Sequence, residues 1–383
     1  MRRVAWTAFW GSLGALVYAQ AGYPLLLAAL ARLRGRSAHE PRPRAAAANE
    51  PSVSLVIAAH READVIADKV QNALALDWPR ERLEVIVACD GSPDDTSARA
   101  RAAGADRVLE LPWGGKVRAQ DAAVAVARGD VLAFSDANAR WEPEALRALV
   151  GRFADPEVGY ACGQVRFVSD GGTNQEGLYW RYEMAIRALE SELASVTGGN
   201  GAIYAVRRDA YVRVDPIMGH DLTLPFTLVK RGWRAVYEPA ARASEKMVPT
   251  IEGEFARKRR MMSHAWAIVL RGGLLSPRGY PPLYALMMAS HRVLRYAAPF
   301  LHLVALAASL VLARPGAGGR VHRAALAAQV ALLAAAAAGG RVRARPLLIA
   351  RYYVLTNASI AAGLLDHARH GTPAGWAPAE GTR

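Results

Sequence analysis

Asp136 and Asn138 stand two residues apart, directly after the apolar run Val131–Phe134, in the stretch VLAFSDAN. A buried strand that ends this way delivers two oxygen donors to one point. Such donors suit a hard divalent cation, Mg2+ or Mn2+, which keeps several waters and bridges substrate phosphates. Taken alone, the pair is as well explained by a capped turn ahead of Trp141–Leu146. Three other strand ends argue for the cation. Glu62 follows the first apolar run in AAHREADVI, where a carboxylate can accept hydrogen bonds from a ribose. Asp90 ends the second run in VACDGSPDDT, in reach of a base or ribose. The third run leads into LPWGGKVRAQDAA, in which Gly114 and Gly115 let backbone approach a ligand. Lys116 then opens a helix, an arrangement that suits a phosphate. The spacing is not that of a P-loop.

The elements that must position these groups follow from the pattern around them. Short β-rich runs occupy 53–59, 83–89, 106–111 and 130–135, with helical stretches near 63–75, 94–103 and 116–128. Strand and helix alternate about every thirty residues, which predicts an α/β fold with a mainly parallel sheet. Ligands in such sheets bind beyond the carboxyl ends of the strands.

The chain has 383 residues, a net charge of +14 and 52% hydrophobic content. That charge is carried mostly by scattered arginines, clustered beside apolar stretches as in RLRGR (32–36) and RVRAR (341–345). The placement points to the flanks of membrane helices and away from nucleic acid. Two cysteines, Cys89 and Cys162, give neither a disulfide framework nor a zinc spacing. Val4–Ala31 carries no charge and exceeds the roughly 20 residues that cross a bilayer. It is too long for the apolar core of a signal peptide. Residues 34–50 read as a polar linker and 51–270 as the α/β domain. Residues 271–366 carry three short apolar stretches (297–313, 324–340 and 352–365) and an interfacial segment at 281–290. Residues 367–383 form a polar tail.

Residues from about 51 to 262 resemble a family 2 glycosyltransferase with a GT-A fold. The resemblance rests on AAHREADVI, ACDGSPDDT, GGKVRAQDAA and FSDANA, followed by GGNGAIYAVRRDA, GHDLTLPFTLVKRGW and EFARKRRM, in that order. The flanking apolar helices match membrane-bound members, among them cellulose and hyaluronan synthases and ceramide glucosyltransferase-like enzymes.

The resemblance implies roles for particular residues. Ala58, His60, Glu62 and Asp90 fall where the family holds the uridine, and Lys116 where it holds phosphate. Asp136 and Asn138 replace the family's Asp-x-Asp, so the cation rests on one carboxylate plus the diphosphate. The family's Glu-Asp pair reads His220-Asp221, with Asp221 at the position of the catalytic base. Arg257–Met261 aligns with the Gln-x-x-Arg-Trp motif of processive synthases. It keeps Arg260 but lacks the tryptophan, which argues against polymer synthesis. Arg257 and Arg260 fall to the donor diphosphate or to anionic lipid. Gly199, Asn200, His220 and Trp180 are candidates for sugar or acceptor contact, with core packing an equal explanation for Trp180. The expected function is transfer of a sugar, with inversion, from a nucleotide diphosphate-sugar, chiefly UDP-linked, to a lipid or lipid-linked glycan. The expected location is the cell (inner) membrane, multi-pass, with the catalytic domain in the cytoplasm. A processive polysaccharide synthase, a nucleotidyltransferase and a non-catalytic nucleotide-sugar-binding membrane protein are the alternatives.

Overall fold

The computed structural model describes residues 2–35, 50–168, 175–246, 248, 250–314 and 319–375, without the side chains of 175–179. Most of the linker expected at 34–50 and the end of the tail expected at 367–383 lie outside the described residues.

The four apolar runs form β1 (Val53–Ala59), β2 (Leu83–Asp90), β3 (Arg107–Leu111) and β4 (Val131–Asp136). They are joined by helices Ile66–Leu74, Thr96–Ala102 and Lys116–Val126. The remaining strands are β5 (Arg140–Trp141), β6 (Val158–Val168), β7 (Ile203–Arg207) and β8 (Arg234–Lys246). All eight join one sheet in the order β3-β2-β1-β4-β7-β6-β8-β5. β1 to β4 are mutually parallel, and β7 runs antiparallel to β4 and β6.

Every residue of β1 is buried. This is why the strand reads as a continuous apolar run, as strands covered on both faces do. Val56 and Ala58 point into one core, and Leu55, Ile57 and Ala59 into the other. From β1 the chain builds outward to β2 and β3, then returns to place β4 on the other side of β1. The order reverses between β1 and β4, so the crevice beyond their carboxyl ends is the topological switch point. Register sets Ala58 directly beside Asp136 at that edge.

Among the described residues four helices are long and apolar enough to cross a membrane: Arg2–Arg34, Pro282–Leu312, Arg320–Ala338 and Arg345–His370. The segment 281–290, expected as a separate interfacial piece, belongs instead to the helix Pro282–Leu312, which continues through a π-helical turn at Met288–Val293. In the sequence His291, Arg292 and Arg295 interrupt the apolar run there, yet protein groups meet all three. His291 Nδ1 lies 2.8 Å from Glu190 Oε1, which also accepts from Tyr23 Oη at 2.6 Å. Arg292 Nε donates to Thr197 Oγ1 at 3.0 Å, and Arg295 pairs with Glu183. Both glutamates lie on the helix Gln175–Leu193. Tyr23, Leu27, Tyr284 and Ile360 share a core with the sheet residues Val56 and Phe134, so three of these apolar helices pack onto one face of the α/β domain.

Candidate active site

A cavity of about 540 Å³ opens beyond the end of β4, lined among others by Lys116, Asp136, Asn138, Gly201, His220 and Asp221. Lys116 starts its helix after Gly115, whose φ of +100° only glycine adopts without strain. Its ammonium pairs with the Asp136 carboxylate, and both side chains stay partly open, at 26% and 29% exposure. Burial opposes the lysine's charge, but Asp136, with Asp221 and Glu245 nearby, outweighs it and raises the pKa. Lys116 is therefore a dependable cation at the switch point. A Cβ on Gly201 would stand 3.2 Å from its Nζ, so glycine there keeps the pair accessible.

The turn that carries Asn138 is fixed from behind. Lys69 Nζ donates to the Ala139 carbonyl at 2.6 Å, and burial lowers that lysine's pKa to about 7. Trp141 Nε1 donates to the Ala202 carbonyl at 3.0 Å, tying the turn to the Gly198–Ala202 stretch. Asp136 and Asn138 supply one carboxylate and one amide. Among the described residues no three His, Cys, Asp or Glu side chains gather to hold a metal. A divalent cation fits this donor set only when ligand oxygens complete its shell, which is the ordinary habit of Mg2+ on phosphates.

Asp221 occupies the first turn of the helix His220–Lys230, capped by Gly219. The Asp221 carbonyl accepts from the Gly199 amide at 2.6 Å, and Arg187 Nη2 donates to the Gly199 carbonyl at 2.9 Å. A Cβ on Gly199 would fall 2.0 Å from Tyr160 Oη, so only glycine fits where this backbone crosses the tyrosine.

His220 is 3% exposed. Its ring meets the faces of Phe134, Tyr204 and Tyr211 edge-on. Gln120 Nε2 donates to Tyr204 Oη at 3.2 Å, and His220 Nδ1 lies 2.9 Å from the same oxygen. Burial first, and then the Lys116 charge, push the imidazolium pKa down to about 3. His220 is thus neutral at physiological pH. An unfolded histidine titrates near 6.5. Between pH 6.5 and about 3 the unfolded chain binds a proton that the native chain refuses, so this residue's contribution is complete above 6.5 and is lost as pH falls. The wild-type Tm is expected to drop more steeply from pH 6.5 to 4 than that of His220→Gln. Parallel melting curves in detergent check this, and equal slopes would refute it.

Of the four residues expected to hold the nucleoside, Glu62 lines the cavity and Ala58, His60 and Asp90 do not. Asp90 is 1% exposed and accepts the Gly114 amide at 2.7 Å and the Gly115 amide at 2.9 Å. It shapes the glycine turn instead of facing the cavity. His60 Nδ1 lies 2.6 Å from the Asp90 carbonyl, and Ala58 is fully buried. Glu62 lines the cavity, although its helix begins only at Ile66. Arg257 grips Glu254 through both oxygens, at 2.7 and 2.8 Å, and both Arg257 and Arg260 line the cavity. Trp180 also lines it, with Nε1 donating to the Val165 carbonyl at 2.6 Å and its ring edge-on to Phe167. Asn200 uses both ends of its amide on backbone, donating to the Gly163 carbonyl at 2.6 Å and accepting from the Ile203 amide at 3.0 Å. Sequence reasoning missed Gly201, Lys69, Gln120 and Tyr204. For Gly201 a signal existed, as the third glycine in TGGNG. The other three act through contacts with no local signature.

A mainly parallel sheet, with a cation and a carboxylate at its switch point and an acid-bearing helix start across the crevice, defines a GT-A fold. The same fold is found in a mannosyltransferase from Pyrobaculum calidifontis, solved with GDP-Man and Mn2+. The two agree at a TM-score of 0.70 with 22% identity, over 96% of this chain and 99% of that one. Residues 54–214 match the model of Glycosyl transferase family 2, and the chain carries a family 2 glycosyltransferase domain. It is 33% identical over 171 residues to a beta-monoglucosyldiacylglycerol synthase of Synechocystis sp., covering 40% of this chain and 33% of that relative. It is 26% identical over 229 residues to an N-acetylglucosaminyltransferase of Rhizobium leguminosarum bv. viciae, covering 54% of each. The chain thus spans between a third and somewhat over a half of the length of these curated relatives.

Proposed function

We propose that this protein is a membrane-bound, inverting glycosyltransferase that moves a sugar from a UDP-sugar to a hydroxyl of a lipid or lipid-linked glycan. The observation that carries this reading is that one cavity holds both the Lys116–Asp136 pair at the switch point and the helix-start carboxylate of Asp221. In a single displacement, Asp221 takes the proton of the acceptor hydroxyl as its oxygen bonds to the anomeric carbon. The bond from that carbon to the diphosphate breaks, and the electron pair leaves on the diphosphate oxygen. Lys116, with Arg260, stabilises the charge that develops there. Asp136 and Asn138 would hold Mg2+ or Mn2+, which supplies further neutralisation of the diphosphate when bound.

A lipid acceptor is favoured by the far wall of the cavity. Met262, Ala265, Ile268, Tyr296 and Ile360 line it, and Tyr296 and Ile360 belong to helices long and apolar enough to cross a membrane. The name of the Synechocystis relative, a glycolipid synthase, agrees with that class. The arginine clusters at 32–36 and 341–345 favour a cytoplasmic catalytic domain.

The test uses the full chain, purified in detergent, with a panel of UDP- and GDP-sugars, Mg2+ or Mn2+, and a membrane lipid extract. Metal-dependent nucleotide release with one donor is expected, together with a lipid-soluble product of inverted anomeric configuration. No release from any donor by folded protein, or retention of configuration, would count against the reading.

A further inference from the structure

Three of the four residues expected at the nucleoside lie away from the cavity, and the segment beside them follows the last long helix. Ala58, His60 and Asp90 are buried at the tips of β1 and β2, and none lines the cavity. Next to them Trp113, Gly114 and Gly115 form the turn ahead of Lys116. Residues 371–375 cross that turn after leaving the helix Arg345–His370 at Gly371, which has a φ of +70°. A Cβ on Gly115 would lie 2.0 Å from the Ala374 carbonyl oxygen, and one on Gly375 would lie 2.2 Å from Cζ2 of Trp113. The two segments touch with no room for a methyl group. Ala374 lines the same cavity as Lys116 and Asp136.

The crossing is pinned at one residue. Thr372 Oγ1 donates to the Ser263 carbonyl at 3.1 Å, and lies 2.9 Å from Ser263 Oγ and 2.8 Å from His367 Nδ1. The Ala374 carbonyl therefore sits against the glycine turn at the start of the helix Lys116–Val126. A donor's diphosphate oxygens would be drawn to the same place by the helix end and by Lys116.

We propose that Gly371–Gly375 is a strap across the nucleoside end of the donor site, latched by Thr372, which the nucleotide-sugar displaces in order to bind. This rests on the cavity being a nucleotide-sugar site. A latched strap lowers apparent donor affinity by the fraction of molecules in which it is open. Because the latch lies on Ser263, donor entry also releases a contact to the helix Ile251–Arg271, which carries Arg257 and Arg260.

The test uses the full chain in detergent with UDP and GDP as probes. Cys89 and Cys162 are buried, so an Ala374→Cys variant presents one accessible thiol. Nucleotide is expected to speed maleimide labelling at 374 several-fold. Thr372→Val, and a chain ending at His370, are expected to bind nucleotide about 3- to 10-fold more tightly than wild type. Nucleotide that binds without changing the labelling rate overturns the strap. So does equal or weaker binding by both latch variants, which would make the segment an inert or supporting wall. If neither wild type nor the shortened chain binds either nucleotide, the nucleotide-sugar assignment itself fails, and the strap falls with it.

Discussion

Asp221→Asn is expected to lower kcat by about 10²–10⁴-fold, the usual worth of a positioned general base, while leaving UDP binding within about twofold. The substitution keeps the size and the hydrogen-bonding shape at the helix start. The Gly199 contact is made by the backbone carbonyl, so the local fold has no reason to change. Only the capacity to take a proton is removed. Single-turnover measurements with a saturating donor separate chemistry from binding. Turnover that survives in Asp221→Asn would assign the base to another residue, with Glu245 next in line because it faces the same cavity.

Asp136→Ala has the second large effect, and its signature differs. The variant removes the partner of Lys116 and the only carboxylate of the Asp136–Asn138 donor pair. Expected losses are about 10²–10³-fold in kcat/KM, in the range of one lost electrostatic contact to a developing charge. Stimulation by Mg2+ or Mn2+ should vanish with it. Titrating activity against metal concentration for wild type and variant gives the answer. A variant that keeps the wild-type metal response would place the cation elsewhere. Asp136→Asn refines the result, since it preserves an oxygen donor but not the charge that holds Lys116.

The strand ends were legible because of how such sheets are built. β1, β2 and β4 are covered on both faces, so each reads as an apolar run, and the first polar residue after it marks the edge where ligands bind. Asp90 and Asp136 were found that way, and Lys116 by the Gly114–Gly115 turn ahead of its helix. What Asp90 does was not legible, because its carboxylate is occupied by amides 24 and 25 residues away, a fact of tertiary packing. The helix Pro282–Leu312 was divided on paper for a related reason. Charges inside an apolar stretch read as a boundary, whereas here Glu183, Glu190 and Thr197 receive them. The strap was invisible for the same cause, since GTPAG carries no pattern that says which surface it covers.

The charge network on Glu183 and Glu190 bears on how this protein can be handled. It places Tyr23 of the first helix and His291, Arg292 and Arg295 of another around a helix of the α/β domain. Thr197, held by Glu190 and Arg292, immediately precedes the Gly198–Gly199 backbone that meets Asp221. A soluble fragment cut at residues 51–270 would strand two buried carboxylates, at roughly 3–5 kcal/mol for each broken pair. On the proposed membrane-bound reading, strain that a bilayer puts on these apolar helices reaches the Asp221 backbone through Thr197, Gly198 and Gly199, so bilayer thickness joins the conditions on which turnover would depend.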